Sequence, residues 1–86
     1  MRIVYSREFV KQIASLPKKT QEMLDMLLQI LLKDPFYPTL HTKSLKGELN
    51  RMFSFQITRD WRVIFIFEDN NTIRLVKVGN RKDIYR

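Results

Sequence analysis

The sequence predicts an α+β fold in the order β-α-α-β-β-β, a mainly antiparallel four-stranded sheet with two helices packed on one face. Three observations predict it. A short β-branched and aromatic run opens the chain at Arg2–Tyr5. Two segments then carry apolar residues at helical spacing. The second half holds three runs of strand character separated by polar turns.

The first helix is expected from Ser6 to Leu16. Ser6 is placed to cap it, Glu8 lies in its first turn, and Phe9, Ile13 and Leu16 recur along one side. The second helix spans Lys18 to Lys33, with Ser15 as its expected cap and Pro17 in its permissive first turn. Met23 to Leu32 is apolar on more than one face, so part must cover the sheet. Any remainder is surface for a protein partner; the alternative is a helix enclosed in a small core. Asp34-Pro35 ends the helix, because proline disfavours helical geometry in the residue before it.

Phe36 to Glu48 reads as a long loop with His41, Lys43 and Lys46. Leu49 to Ile57 reads as a strand in which Phe53, Phe55 and Ile57 alternate with Ser54 and Gln56. Thr58-Arg59-Asp60 turns the chain into a strand where Trp61, Val63, Phe65 and Phe67 share one parity. Arg62, Ile64 and Ile66 take the other. Glu68-Asp69-Asn70-Asn71 is a hairpin turn, and Thr72 to Val78 is the last strand. No repeat, linker or low-complexity tract divides residues 1–86, so a single domain is expected.

Composition narrows the chemistry. The net charge is +7 and the pI about 10.1. Residues 1–42 carry six Lys/Arg against four Asp/Glu, and residues 43–86 carry ten against five. The positive excess thus lies mostly in the strand half, and the basic balance favours a polyanionic partner, RNA or DNA first. The absence of cysteine excludes a disulfide, a thiol nucleophile and a zinc-thiolate site, and fits a reducing cytoplasm. One histidine argues against a transition-metal site, and no cofactor is expected. The basic start shows no signal peptide, and Met23–Leu32 is too short to span a bilayer, so no membrane association is expected.

Arg62 is the most informative residue. It sits inside a strand between apolar neighbours, and a guanidinium stays charged at physiological pH, so burial is costly unless it is paired. Parity puts Ser54, Gln56 and Arg62 on the face away from the helices. Gly79, Arg81 and Tyr85 follow the final strand, where the tail can close over that face. Such groups can converge on a phosphate; equally, Arg62 can point to solvent and the tail can be merely polar. Trp61 reads as a core anchor, Asp60 as a turn residue, Gly79 as room for a tight backbone path and His41 as an exposed loop residue.

Three stretches carry a resemblance: Leu45-Lys46-Gly47 with the Phe53–Ile57 strand, Asp60-Trp61-Arg62-Val63-Ile64-Phe65, and Val78-Gly79-Asn80-Arg81-Lys82-Asp83-Ile84-Tyr85. In this order and spacing they resemble the RelE/ParE toxin superfamily, most of all its RelE-like mRNA interferase branch. The resemblance implies a toxin of a type II toxin-antitoxin system. Such a toxin is a metal-independent endoribonuclease that inhibits translation by cleaving mRNA, typically in the ribosomal A site. The RNA's own 2′-hydroxyl attacks, which excludes DNA as substrate. A base, an acid and a cation for the charged phosphorane are required.

By position, the resemblance implies that Arg62 grips the scissile phosphate, that Arg81 contacts the phosphate or leaving group, and that Tyr85 stacks on a base or moves a proton. Lys43, Lys46, Ser54, Gln56 and Arg59 are the expected RNA contacts. The chain departs from the pattern where RelE-type sequences have lysines, at Ser54 and Gln56, and where many have histidine, at Asn80. It keeps the arginines without an obvious general base. A cognate antitoxin, mRNA and the ribosome are the implied partners. Two alternatives stay open: a ParE-like inhibitor of DNA gyrase, whose kind generally lacks the Arg81/Tyr85 pair, and a non-catalytic binding member of the fold.

Overall fold

A computed structural model describes residues 1–47 and 51–85. The elements are β1 (Arg2–Tyr5), α1 (Arg7–Ile13), α2 (Lys18–Lys33), a 3-10 turn (Pro38–Leu40), β2 (Lys43–Ser44), β3 (Phe53–Gln56), β4 (Trp61–Asp69) and β5 (Thr72–Asn80). The fold is α+β as expected, with a fifth strand. The sheet order is β1-β5-β4-β3-β2; β1 runs parallel to β5 and the other pairs are antiparallel. The added strand, β2, lies in the segment read as loop. It is two residues long, too short to show alternation, and exists because Lys43 and Ser44 pair with Ser54 and Phe53.

One sheet face carries the core. Phe55, Val63, Phe65, Ile73, Leu75 and Val78 meet Phe9, Leu16, Leu24, Leu27, Leu31 and Leu40 in one buried cluster. On α2, Leu24, Leu27 and Leu31 lie three and four residues apart, the spacing of one helix face. Burying each contributes about 1.5–3 kcal/mol. Met23 and Met26 fall outside that stripe and are 41% and 66% exposed. Phe36, Phe53, Phe65 and Phe67 extend the core with ring centroids 5.2 to 6.1 Å apart. Trp61 packs against the core but is only partly buried.

Two expected helix ends are corrected. Ser6 does cap α1, accepting from Phe9 N–H at 3.0 Å. The helix stops at Ile13 rather than Leu16, however, and Leu16 reaches the core from the turn that follows. Ser15 does not cap α2: its hydroxyl donates back to the Gln12 carbonyl at 2.8 Å, and Pro17 holds the cap position without a side-chain bond. The strand expected from Leu49 begins at Phe53; Leu49 and Asn50 lie outside the described residues. Ile57 falls beyond that strand, its N–H closing the turn on Trp61 O at 2.9 Å. The last strand runs on to Asn80.

The join between α1 and β5 decides what stands on the second face. β4 and β5 shift register between Ile64 and Phe65: Ile64 pairs with Lys77 but Phe65 with Leu75, which leaves Val76 as a bulge. Ser6 donates its hydroxyl to the Val76 carbonyl at 2.5 Å, and its N–H to Leu75 O at 3.0 Å. Gln12 Oε1 accepts from Val78 N–H at 2.8 Å. α1 thereby occupies the β5 edge where β1 has ended. The bulge reverses side-chain parity, so Leu75 points to the core while Lys77 and Gly79 share the face of Ile64 and Arg62.

Candidate functional site

The second sheet face is built from transverse rows. Lys43, Ser54, Ile64 and Lys77 stand side by side across β2, β3, β4 and β5. Gln56, Arg62 and Gly79 form the next row, about 7 Å along the strands. The turn beyond holds Arg59 and Asp60, both exposed.

The tail folds back over these rows. Asn80 organises it: its carbonyl accepts from Asp83 and Ile84 N–H at 2.9 and 3.0 Å, and its Oδ1 accepts from Lys82 N–H at 3.0 Å. The Asn80 side chain is thus a turn former in this chain. Ile84 is buried against Gly79 and, like Ile64, lies outside the main core cluster. Gly79 itself is not sterically compelled, since an added Cβ would meet Ile84 at 3.8 Å, an ordinary contact.

Arg62 is half-buried. Its Nε is buried with no hydrogen-bond partner among the described residues, while Nη2 donates to the Arg59 carbonyl at 3.3 Å. One edge of the guanidinium is therefore desolvated without compensation. An anion offering two oxygens is the ligand that a planar guanidinium fork satisfies best.

Tyr85 and its neighbours form a second cluster. The Tyr85 hydroxyl donates to Ser54 Oγ at 3.3 Å, and Lys43 Nζ lies 5.9 Å from the ring centroid, within cation-π range. Ser54 is only 1% exposed, so its hydroxyl faces Tyr85 and not solvent. Gln56 is half-buried beside Arg62, and Lys46 and Arg59 are exposed. Arg81 is drawn away toward the turn: its N–H donates to the Asp60 carbonyl at 2.7 Å and its Nε lies 3.8 Å from the Asp60 carboxylate. The structure thus brings Lys43, Ser54 and Tyr85 together and sets Gln56 beside Arg62, with Arg81 at the rim. Asp60 is more than a turn residue, because it also anchors Arg81.

The strand pattern of the sequence does not place Lys77 on this face. On a regular strand it would share the parity of Leu75, and only the bulge turns it to this face. Among the described residues there is no cluster of His, Cys, Asp or Glu able to hold a metal ion. No helix among them is long and apolar enough to cross a membrane.

No protein-family model matches the sequence, and no curated protein matches it significantly. Solved structures do match in shape. YafQ from Escherichia coli strain BL21(DE3) superposes with a TM-score of 0.83 at 19% identity, covering 100% of both chains. A YoeB/ParE toxin from Agrobacterium tumefaciens gives 0.80 at 15% identity over 94% of this chain and 99% of that one. A chain of the RelB-RelE antitoxin-toxin complex from Methanococcus jannaschii gives 0.78 at 18% identity, over 95% of this chain and 94% of that one. At these identities the likeness is one of shape over nearly the whole chain, and the chain has the fold of the RelE/ParE toxins.

Proposed function

We propose that this protein is the toxin of a type II toxin-antitoxin system, and that it acts as a metal-independent endoribonuclease on mRNA in the ribosomal A site. The observation that carries the reading is Arg62, a half-buried guanidinium with an uncompensated Nε on a face that also gathers Lys43, Lys77 and Tyr85. A scissile phosphate can take the outer guanidinium nitrogens, and supplies the acceptor that Nε lacks once the side chain turns outward to meet it. Charge that develops on the phosphorane strengthens the same contact, which is how a preorganised cation lowers a barrier.

In the proposed reaction the 2′-oxygen attacks phosphorus, the bond to the 5′-oxygen breaks, and a 2′,3′-cyclic phosphate forms. The proton lost from the 2′-hydroxyl is balanced by one gained at the 5′-oxygen. Within the cluster, Tyr85 is the group suited to relay a proton, and Arg81 at the rim supplies a second cation. Asn80 is engaged in the turn and offers no base.

The partner reading rests on the opposite layer. Met23 and Met26 on α2, with Val10 on α1, leave apolar surface exposed on the helical side. A structural neighbour was solved with its antitoxin. We assign this surface to a cognate antitoxin, with charge complementarity to the basic chain as a second contribution. Primer-extension mapping of an mRNA in a translation reaction, with and without ribosomes, tests the activity. Arg62→Ala and Arg81→Ala are expected to abolish ribosome-dependent cleavage and growth arrest while remaining folded. Unchanged arrest by a folded Arg62→Ala protein refutes the reading, and binding without any cleavage assigns the chain to the non-catalytic alternative.

A further inference from the structure

We propose that Ser54 is a positioning residue that holds the Tyr85 phenol over the sheet, at a fixed place beside Arg62. The proposal rests on the nuclease reading for its consequence, but not for its geometry. Three observations carry it.

Ser54 lies in the middle of the row from Lys43 to Lys77, and its side chain is buried. A buried hydroxyl needs a partner, and the phenol of Tyr85 provides one at 3.3 Å. Tyr85 comes from a five-residue tail turn, tied down by Asn80 at its start and by Ile84 against Gly79. Those ties locate the backbone but leave the ring free to rotate about its side-chain torsions. Ser54 holds the far end of the ring, and Lys43 lies across its face at 5.9 Å.

The placement is specific. Ser54 pairs with Ile64 and Gln56 with Arg62, so Ser54 and Arg62 are diagonal neighbours on one face. Diagonal positions in an antiparallel pair are about 7–8 Å apart. The phenol is thereby pinned above Ser54, on the same face as Arg62 and one diagonal step from it in the ladder. A lysine at position 54 would place an ammonium there instead. With serine, the site trades a cation for a fixed phenol. Lys43, from the neighbouring strand, returns a positive charge to the same spot.

The test uses the full chain labelled with 3-fluorotyrosine, with Tyr5 and Tyr37 replaced by Phe so that one fluorine signal reports Tyr85. Ser54→Ala is expected to broaden or shift that signal toward the value of an exposed tyrosine, and Ser54→Thr to restore it. In ribosome-dependent cleavage, Ser54→Ala should lower kcat by roughly tenfold with KM within about twofold, the pattern of impaired orientation. Tyr85→Phe should cost less in the Ser54→Ala background than alone, because the two act as a unit. An unchanged fluorine signal in Ser54→Ala overturns the proposal outright. Additive rate losses overturn it as well. If no variant, including the parent, cleaves RNA, the nuclease reading fails, while the fluorine signal still decides whether Ser54 holds Tyr85.

Discussion

Arg62→Met separates what the arginine does for folding from what it does for function. The buried Nε lacks a hydrogen-bond partner among the described residues. An uncompensated buried donor costs about 1–3 kcal/mol. Against this, the guanidinium makes one stabilising bond among the described residues, from Nη2 to Arg59 O at 3.3 Å, exposed to water. Such a bond contributes about 0.5–1.5 kcal/mol. Methionine keeps an unbranched stem able to pack along Ile64 and Gln56 without a donor. The balance favours the variant by about 1 kcal/mol, or roughly 4–8 °C in Tm for a domain of this size. Thermal unfolding followed by circular dichroism measures it. Ribosome-dependent cleavage, assayed on the same preparation, should fall by about 10²–10³. A folded Arg62→Met protein whose Tm drops by several degrees would refute the reasoning, since Arg62 would then be a structural residue with its cost already met. The expected opposite signs, more stable and less active, mark a functional site that holds strain for its ligand.

Three further outcomes follow from the same structure. Leu31→Ala, at a fully buried position on α2, should lower stability by about 2–5 kcal/mol in urea unfolding, whereas Met26→Ser, exposed on the same helix, should stay within about 0.5 kcal/mol and weaken antitoxin binding instead. The Asn71 N–H, donating to the Asp69 carboxylate at 2.8 Å, holds its pKa below the usual carboxylate value. A depressed carboxylate stabilises the fold above its unfolded pKa, and that contribution is lost as pH falls through the lower folded value. Asp69→Asn should therefore flatten the acid limb of the Tm–pH profile below about pH 4, with the parent's advantage present at neutral pH and vanishing in acid. Cleavage of a short RNA should persist after the protein is treated with excess chelator; loss of activity restored only by a transition metal would contradict the metal-independent mechanism.

Much of the fold was legible because its signals are local. Alternation at Phe53 and Phe55, and from Trp61 to Phe67, told which side of β3 and β4 meets the helices, since strand side chains repeat every two residues. Ser6 announced the start of α1 because capping is a three-residue interaction. The charge excess of the strand half, and the placement of Arg62 opposite the core, also came directly from the chain. Short elements were less legible: a two-residue strand and a helix of seven residues carry too little periodicity to mark their ends.

What only the tertiary structure decided are the facts that depend on distant partners. The Val76 bulge, stabilised by a bond from Ser6 seventy residues away, turned Lys77 and Gly79 onto the face of Arg62. The parallel pairing of β1 with β5 required the whole chain to return beside its start. Ser54 looked like an open-face contact for RNA, but the tail covers it and makes it the partner of Tyr85. Arg81, expected over the same face, is held at the rim by Asp60. Periodicity assigns a residue to a face because neighbouring peptides constrain one another sterically. It carries no information on which remote carbonyl or hydroxyl will be left in need of a partner, and in this protein that need arranged the site.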